Sequence, residues 1–381
     1  MAGQIIKRGD KTWIVRIFMG RDEKGKRRYI NKTIYGTKKD ANTYLSATLT
    51  NISTGTYVES SPLTVNAYLD KWLQVAASPR VRERTFTSYE DVLRLYIRPA
   101  LGDKKLSDIR PLDLQALYTS LQERGLSART IRYAHSVLAS ALTQAVKWRM
   151  TAQNAALLVE LPRSTRKEMS ALSPEDVARF LAEASKDHLG VLFAFALATG
   201  LRPSEFMGLQ WKDIELEKGT VTVLRTLVRR KGGGWYYGEP KTPRSRRNIP
   251  LPASMLRALI VHKRQQAETR LKAGAEYQNN DLVFATGDGT PLLLRNIIRR
   301  HFRPILKRAG LPETLRLYDL RHICATLMLS AGVHPKVASE RLGHSSVTLT
   351  MDVYSHVLPS MQQDATEKLE SLLFERTGTL L

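Results

Sequence analysis

The sequence contains a single cysteine, Cys324, in 381 residues, so neither a disulfide framework nor a cysteine-built zinc site is available. Cys324 sits beside Ala325 in an apolar helical pattern and reads as a small core residue, not a nucleophile. A reducing cytoplasm fits this usage. Apolar runs are also short. None reaches the roughly 18–20 residues that a bilayer span requires, and the start MAGQIIKRGD has no signal-peptide core, so a soluble protein with no membrane partner is expected. Glycine-rich phosphate loops are missing too: no strand leads into G-x-x-x-x-G-K-[ST], and G-x-G-x-x-G does not occur. His188, His262 and His301 stand isolated, without metal-ligand spacing. The expectation is a reaction with no cofactor, neither nucleotide nor metal. Negative charge is the remaining deficit. Lysine and arginine number 59 against 36 aspartates and glutamates, a net +23 spread along the whole chain. Such a surplus favours a polyanionic partner, because each phosphate neutralised releases condensed counterions.

A chain of this length exceeds one compact core and is expected to divide into two or three domains. Residues 12–19 alternate with Trp13, Val15 and Ile17 on one face, and a turn at Gly20–Gly25 leads to a second extended run from Arg27 to Tyr35. Thr37 then caps a helix with Asp40 in its first turn. This small sheet backed by one helix is rich in cations, among them Arg16, Lys26, Arg27 and Arg28, and a β-ribbon of that kind can enter a major groove. After a polar linker at 55–62 come four helical patterns, the second stopping before Pro99, the third beginning with Leu112 on its apolar face, and the fourth capped by Ser127. Arg84, Arg129 and Arg132 lie near these helix ends, where side chains and helix N-termini meet phosphates. A second basic linker follows at 161–167.

Beyond it, Ser173-Pro174-Glu175-Asp176 has the cap, proline and acidic turn of a helix start. An apolar helix over 191–198 ends at Gly200 and delivers Arg202, with Glu205 three residues on. Strand-like runs at 220–227 and 235–237 bracket a Gly232–Gly234 tip, Lys241 follows, and Arg246 and Arg247, both expected to contact DNA, stand in a basic cluster before Asn248-Ile249-Pro250-Leu251. Leu282-Val283-Phe284 reads as a short strand, and 296–307 as a basic amphipathic helix presenting Arg299. After Arg321, apolar residues recur at helical spacing up to Gly332. A second helix spans Pro335 to about Gly343, His344 follows in a turn, and Ser345 and Ser346 cap a short helix ahead of Tyr354. Taken singly, His344 reads as a loop histidine and Tyr354 as a core aromatic.

In combination they read differently. Leu320-Arg321-His322, then Leu342-Gly343-His344, then Tyr354 ten positions later, with Gly200-Leu201-Arg202-Pro203-Ser204-Glu205 upstream, resembles the signature of tyrosine site-specific recombinases, the phage-integrase family. The resemblance covers about residues 170–360 at motif level. It implies a multidomain, mainly α protein with small β-sheets: an arm-type DNA-binding domain at 1–57 (three-stranded sheet plus helix), a helical SAM-like core-binding domain at 62–157, and a mixed, mostly α catalytic domain with a C-terminal tail at 168–381. It further implies Tyr354 as nucleophile, Arg202, Arg321 and His344 on the phosphate, Lys241 as general acid, and Glu205 and His322 in support. Where the family usually carries a histidine three residues before the second arginine, this chain has Tyr318, which would hydrogen-bond in its place. The implied partners are core-type and arm-type attachment sites on double-stranded DNA, further copies of the chain in a tetramer linked by tails at 361–374, and DNA-bending and excision proteins, all in a bacterial cytoplasm at the nucleoid. The replacement at Tyr318 motivates one alternative, a non-catalytic DNA-binding protein of the same fold. A topoisomerase relaxing a single duplex by the same chemistry is another.

Overall fold

The computed structural model describes residues 3–22, 24–54, 57, 62–163, 172–230, 232–239, 246–344 and 346, with positions 366, 367, 369, 370 and 373 of the tail. Two compact units divide the chain, residues 1–166 and 167–381.

The first unit has two separate apolar cores. Strands β1 (Gly3–Gly9), β2 (Thr12–Arg21) and β3 (Arg27–Tyr35) form an antiparallel sheet in that order. Period two puts Val15 and Ile17 on one face, both fully buried under helix α1 (Lys38–Ser53). Thr37 caps α1 in a reciprocal box: its hydroxyl accepts from the Asp40 N–H, and Asp40 accepts from the Thr37 N–H at 2.7 Å. The face away from α1 carries Arg16 opposite Asn31 and Phe18 opposite Tyr29.

The second core of this unit is helical. Helix α2 (Val65–Trp72) runs into a π-helical turn, Leu73–Ala77, and α3 (Glu83–Val92) into another, Leu93–Ile97, which continues as α4 (Arg98–Leu101). The expected stop before Pro99 is therefore overturned. The π turn has Arg98 N–H donating to the Leu93 carbonyl, and Pro99 follows directly in the continuing helix. Helices α5 (Pro111–Glu123) and α6 (Ala128–Lys147) complete the core, with Ser127 capping α6 as expected. Leu112, read as a core position, is 78% exposed. Trp72 stacks on Tyr89, and the Tyr68 hydroxyl donates to the Ala141 carbonyl deep inside.

The second unit is mostly helical around two small sheets. Helix α7 (Pro174–Ala184) starts on the Ser173–Asp176 capping box, and α8 (Gly190–Thr199) is apolar nearly all round, hence central. After α9 (Pro203–Phe206), β4 (Ile214–Glu215), β5 (Thr220–Val223) and β8 (Arg247–Pro250) make one antiparallel sheet, while β6 (Thr226–Arg229) and β7 (Trp235–Gly238) form a hairpin. The strand expected across 220–227 is thus two strands in different sheets, broken where Arg225 reaches Asp213 at 2.6 Å. Helix α10 (Ala253–Ala273) has no counterpart in the sequence reading, since only Met255 and Leu259 are buried and its apolar period is weak. A long run of helix formers without glycine or proline was the available signal. Leu282-Val283-Phe284 is buried but paired only by isolated bridges, Gln210 with Leu282 and Ala285 with Pro291. Helix α11 (Leu294–Asn296), a π-helical turn at Ile297–Phe302 and α12 (Arg303–Arg308) make up the expected basic helix. Last come α13 (Asp319–Ser330), packed on α8, and α14 (Pro335–Leu342), packed on α13 and β8.

Candidate active site

Two glycines shape the site. Helix α8 ends at Gly200 (φ 64°) and α14 at Gly343 (φ 66°), both left-handed, a conformation that other L-residues adopt only with strain. A Cβ on Gly200 would also lie 2.5 Å from Leu342 Cδ2, so the turn sits directly against α14. The chain leaves Gly200 to place Arg202 at the N-cap of α9, and leaves Gly343 to place His344.

Around these turns the charged side chains are closely tied. Arg202 Nη1 donates to Glu205 Oε1 at 2.7 Å, and its Nη2 to the Gly343 carbonyl at 3.2 Å. Arg321, near the start of α13, is 1% exposed and donates Nη1 to the Gly200 carbonyl at 2.8 Å. Its Nε and Nη2 are buried and have no hydrogen-bond partner among the described residues. Burial, then the Arg202 charge, lower its pKa to about 10, so it remains a cation at neutral pH. His344 is half-buried. Burial, followed by Arg321 and Arg202, pushes it down to about 4, so the imidazole is neutral at physiological pH. His322, lowered by burial, lies in the same cluster with its ring against Tyr318, 5.3 Å between centroids. Tyr318 itself is 38% exposed at the head of α13.

Among the described residues, Glu205 is the carboxylate that sits within this group of cations. Burial alone would raise its pKa, but Arg247 and Arg202 outweigh burial and hold it below the usual carboxylate range. Arg247, expected to contact DNA, is instead turned inward and is 7% exposed. Its Nη2 donates to Glu205 Oε2 at 2.9 Å and its Nε to the Arg341 carbonyl at 2.6 Å. The reason is strand geometry. Two residues apart on β8, Arg247 shares a face with Ile249, which is fully buried. That alternation was the signal the sequence offered.

The structure thus brings together Arg202, Glu205, Arg321, His322, His344 and Tyr318, and adds Arg247. Lys241, Tyr354, the expected short helix before Tyr354 and most of the expected tail helix lie outside the described residues; Leu369 and Leu373 of the tail are exposed. Of the surface cations, Arg16, Lys26, Arg27, Arg28, Arg84, Arg129, Arg132, Arg246 and Arg299 are exposed. Arg16 lies over the Tyr29 ring at 5.0 Å and Arg132 donates to the Pro162 carbonyl. Among the described residues no helix is long and apolar enough to cross a membrane.

Known proteins share this architecture. Residues 170–361 match the phage integrase family, and residues 64–122 the phage integrase N-terminal SAM-like domain. A tyrosine recombinase XerC-like protein of Caldanaerobacter subterraneus is 33% identical, over 96% of this chain and 98% of its own. The ICEBs1 integrase of Bacillus subtilis is 30% identical, over 66% of this chain and 68% of its own. Among solved structures, Tn1549 transposon integrase in complex with transposon right end DNA superposes with a TM-score of 0.69 at 24% identity, covering 81% of this chain and 99% of that one. A λ integrase tetramer bound to a Holliday junction gives 0.56 at 19%, covering 92% and 94%. With a family match over half its length and a relative of this identity along nearly all of it, the chain belongs to the phage integrase family and is a tyrosine recombinase of the integrase type.

Proposed function

We propose that this recombinase integrates and excises a phage or other mobile element, cutting and rejoining attachment-site DNA through a 3′-phosphotyrosyl intermediate. The observation that carries the proposal is Arg321: a buried guanidinium with two N–H-bearing nitrogens that have no partner among the described residues, beside Arg202 and a neutral His344. A buried cation left this way is costly, and a phosphate would satisfy it through the two-pronged contact that guanidinium makes with phosphate oxygens.

In this mechanism the Tyr354 oxygen attacks phosphorus in line, its phenolic proton passing to solvent, and the bond to the 5′-oxygen breaks. Lys241 gives that oxygen its proton, so a 5′-hydroxyl leaves. Arg202 and Arg321 hold the charge that develops on the non-bridging oxygens, positioned before the reaction begins. Neutral His344 donates one N–H to a phosphate oxygen, and Glu205 orients Arg202. Tyr318 hydrogen-bonds where the family's usual pattern has a histidine. Attack by a second strand's 5′-hydroxyl reverses these steps and rejoins DNA without ATP.

The three domain assignments, 1–57 on arm sites, 62–157 on core sites and 168–381 for catalysis, belong to the same reading. The basic open face of the first sheet supports the arm role. The λ integrase tetramer bound to a Holliday junction supports a tetramer on DNA; a bacterial cytoplasm and DNA-bending and excision proteins complete the same reading.

Covalent trapping tests the proposal. The purified protein, without metal or ATP, is incubated with nicked duplexes carrying candidate attachment DNA and run on a denaturing gel. The expected result is an adduct that maps to Tyr354 with a free 5′-hydroxyl, absent in Tyr354→Phe, which keeps duplex binding within a few-fold. Specific binding with no adduct would instead favour a DNA-binding protein that has lost cleavage.

A further inference from the structure

Three residues that look unrelated in the sequence meet on the second unit, at a place separate from the arginine cluster. Asp187 and His188 form the turn between α7 and α8, and His301 lies in the π-helical turn Ile297–Phe302, more than a hundred residues away. His301 Nδ1 is 3.0 Å from both Asp187 carboxylate oxygens, and His188 Nδ1 is 3.6 Å from Oδ1. One ligand atom from each of the three residues falls within 4.8 Å of the others, and the two imidazoles stand nearly perpendicular with centroids 4.6 Å apart. This corrects the expectation that His188 and His301 stand alone.

We propose that Asp187, His188 and His301 form a binding site for one divalent transition-metal ion of the zinc class. The spacing suits that ion. Bonds of about 2.0–2.1 Å in a tetrahedral site put neighbouring ligand atoms about 3.3 Å apart, between the 3.0 and 3.6 Å found here. Two imidazoles and one carboxylate also select a zinc-like ion over calcium or magnesium, which require oxygen shells. The Leu189 N–H donates to Asp187 Oδ1 at 2.9 Å and holds the carboxylate in orientation, the arrangement by which backbone groups fix metal ligands. Three protein ligands leave a fourth position for water, on the side where His188 is 74% exposed. Coordination through His301 Nδ1 requires the tautomer that carries its proton on Nε2, so the hydrogen bond between Nδ1 and Asp187 gives way to the two metal bonds. The ion would clasp the start of α8 to the turn that carries exposed Arg299 and Arg300.

The test uses the full-length protein and its His188→Ala variant, chosen because an exposed side chain can be removed without disturbing the core. Equilibrium dialysis against Zn2+ should give one ion per chain. Co2+ as a spectroscopic probe should show the intense visible bands of a tetrahedral site. Zn2+ should raise the melting temperature by mass action. In His188→Ala affinity should fall roughly ten-fold or more, with the Co2+ bands and the melting shift lost. Asp187→Asn should do the same. Wild-type protein that binds no Zn2+ in dialysis, or binds it equally well without His188, would overturn the proposal.

Discussion

Glu205 bridges two guanidinium groups from distant parts of the chain, accepting from Arg202 at 2.7 Å through one oxygen and from Arg247 at 2.9 Å through the other. Arg202 faces the site and Arg247 faces the interior, so one buried carboxylate both orients a candidate catalytic cation and neutralises a structural one.

Glu205→Gln keeps the shape and removes the charge, leaving Arg247 buried beside a neutral amide. Urea unfolding at pH 7 should show a loss of about 3 kcal/mol. Because the folded-state pKa of Glu205 lies below its ordinary 4.5, this stabilisation is present above that value and lost as pH falls through the folded pKa. The gap between wild type and variant should therefore close under acid conditions; a gap that persists at the lowest pH would assign the loss to something other than charge.

Arg321 should separate stability from activity. Replacing a buried, incompletely bonded cation with an apolar side chain of similar length is neutral or favourable to folding. Arg321→Met should thus melt at or above the wild-type temperature while cleavage of a nicked substrate falls by roughly 10²–10³-fold. Cleavage near the wild-type rate would remove Arg321 from the reaction.

His344 should stay neutral across the working range. With its pKa near 4, an NMR titration of the free protein should show no His344 inflection between pH 5 and pH 8. Folding stability should decline as pH falls from the unfolded value of 6.5 towards 4, since the unfolded chain takes up the proton first. Specific DNA should raise this pKa, because a phosphate offsets the Arg321 and Arg202 charges that lower it.

The open face of the N-terminal sheet yields a prediction independent of the cleavage site. Arg16→Ala should weaken binding to arm-type DNA and reduce the salt dependence by about one ion, while cleavage of an isolated core-type duplex is unchanged. Equal loss on both substrates would argue against a separate arm role.

Much of this was legible beforehand where one short-range rule governs. Thr37 with Asp40, Ser173 with Asp176, Gly200, Gly332 and Gly343 each mark a helix boundary through cap or left-handed geometry, and the structure has them there. What the sequence left hidden depends on contacts between distant segments. A π-helical turn carries helix past Pro99 with no local sign, and Arg225 divides an apparently continuous strand by pairing with Asp213. Arg247 looked like its neighbour Arg246; only its place on the buried side of β8 distinguishes it. Asp187 and His301 meet because α12 packs on α7, a contact no local pattern records.

The crossed bonds at the two glycines bear on when the site can exist during synthesis and folding. Arg321 is held by Gly200, 121 positions earlier, and Arg202 by Gly343, 141 positions later. Each arginine is oriented by the segment that carries the other's neighbours, so neither can be set first. Contacts of such separation are closed late, after the loop entropy between them has been overcome. A nascent or half-folded chain, however cationic and however able to hold DNA, therefore has no assembled centre with which to cut it.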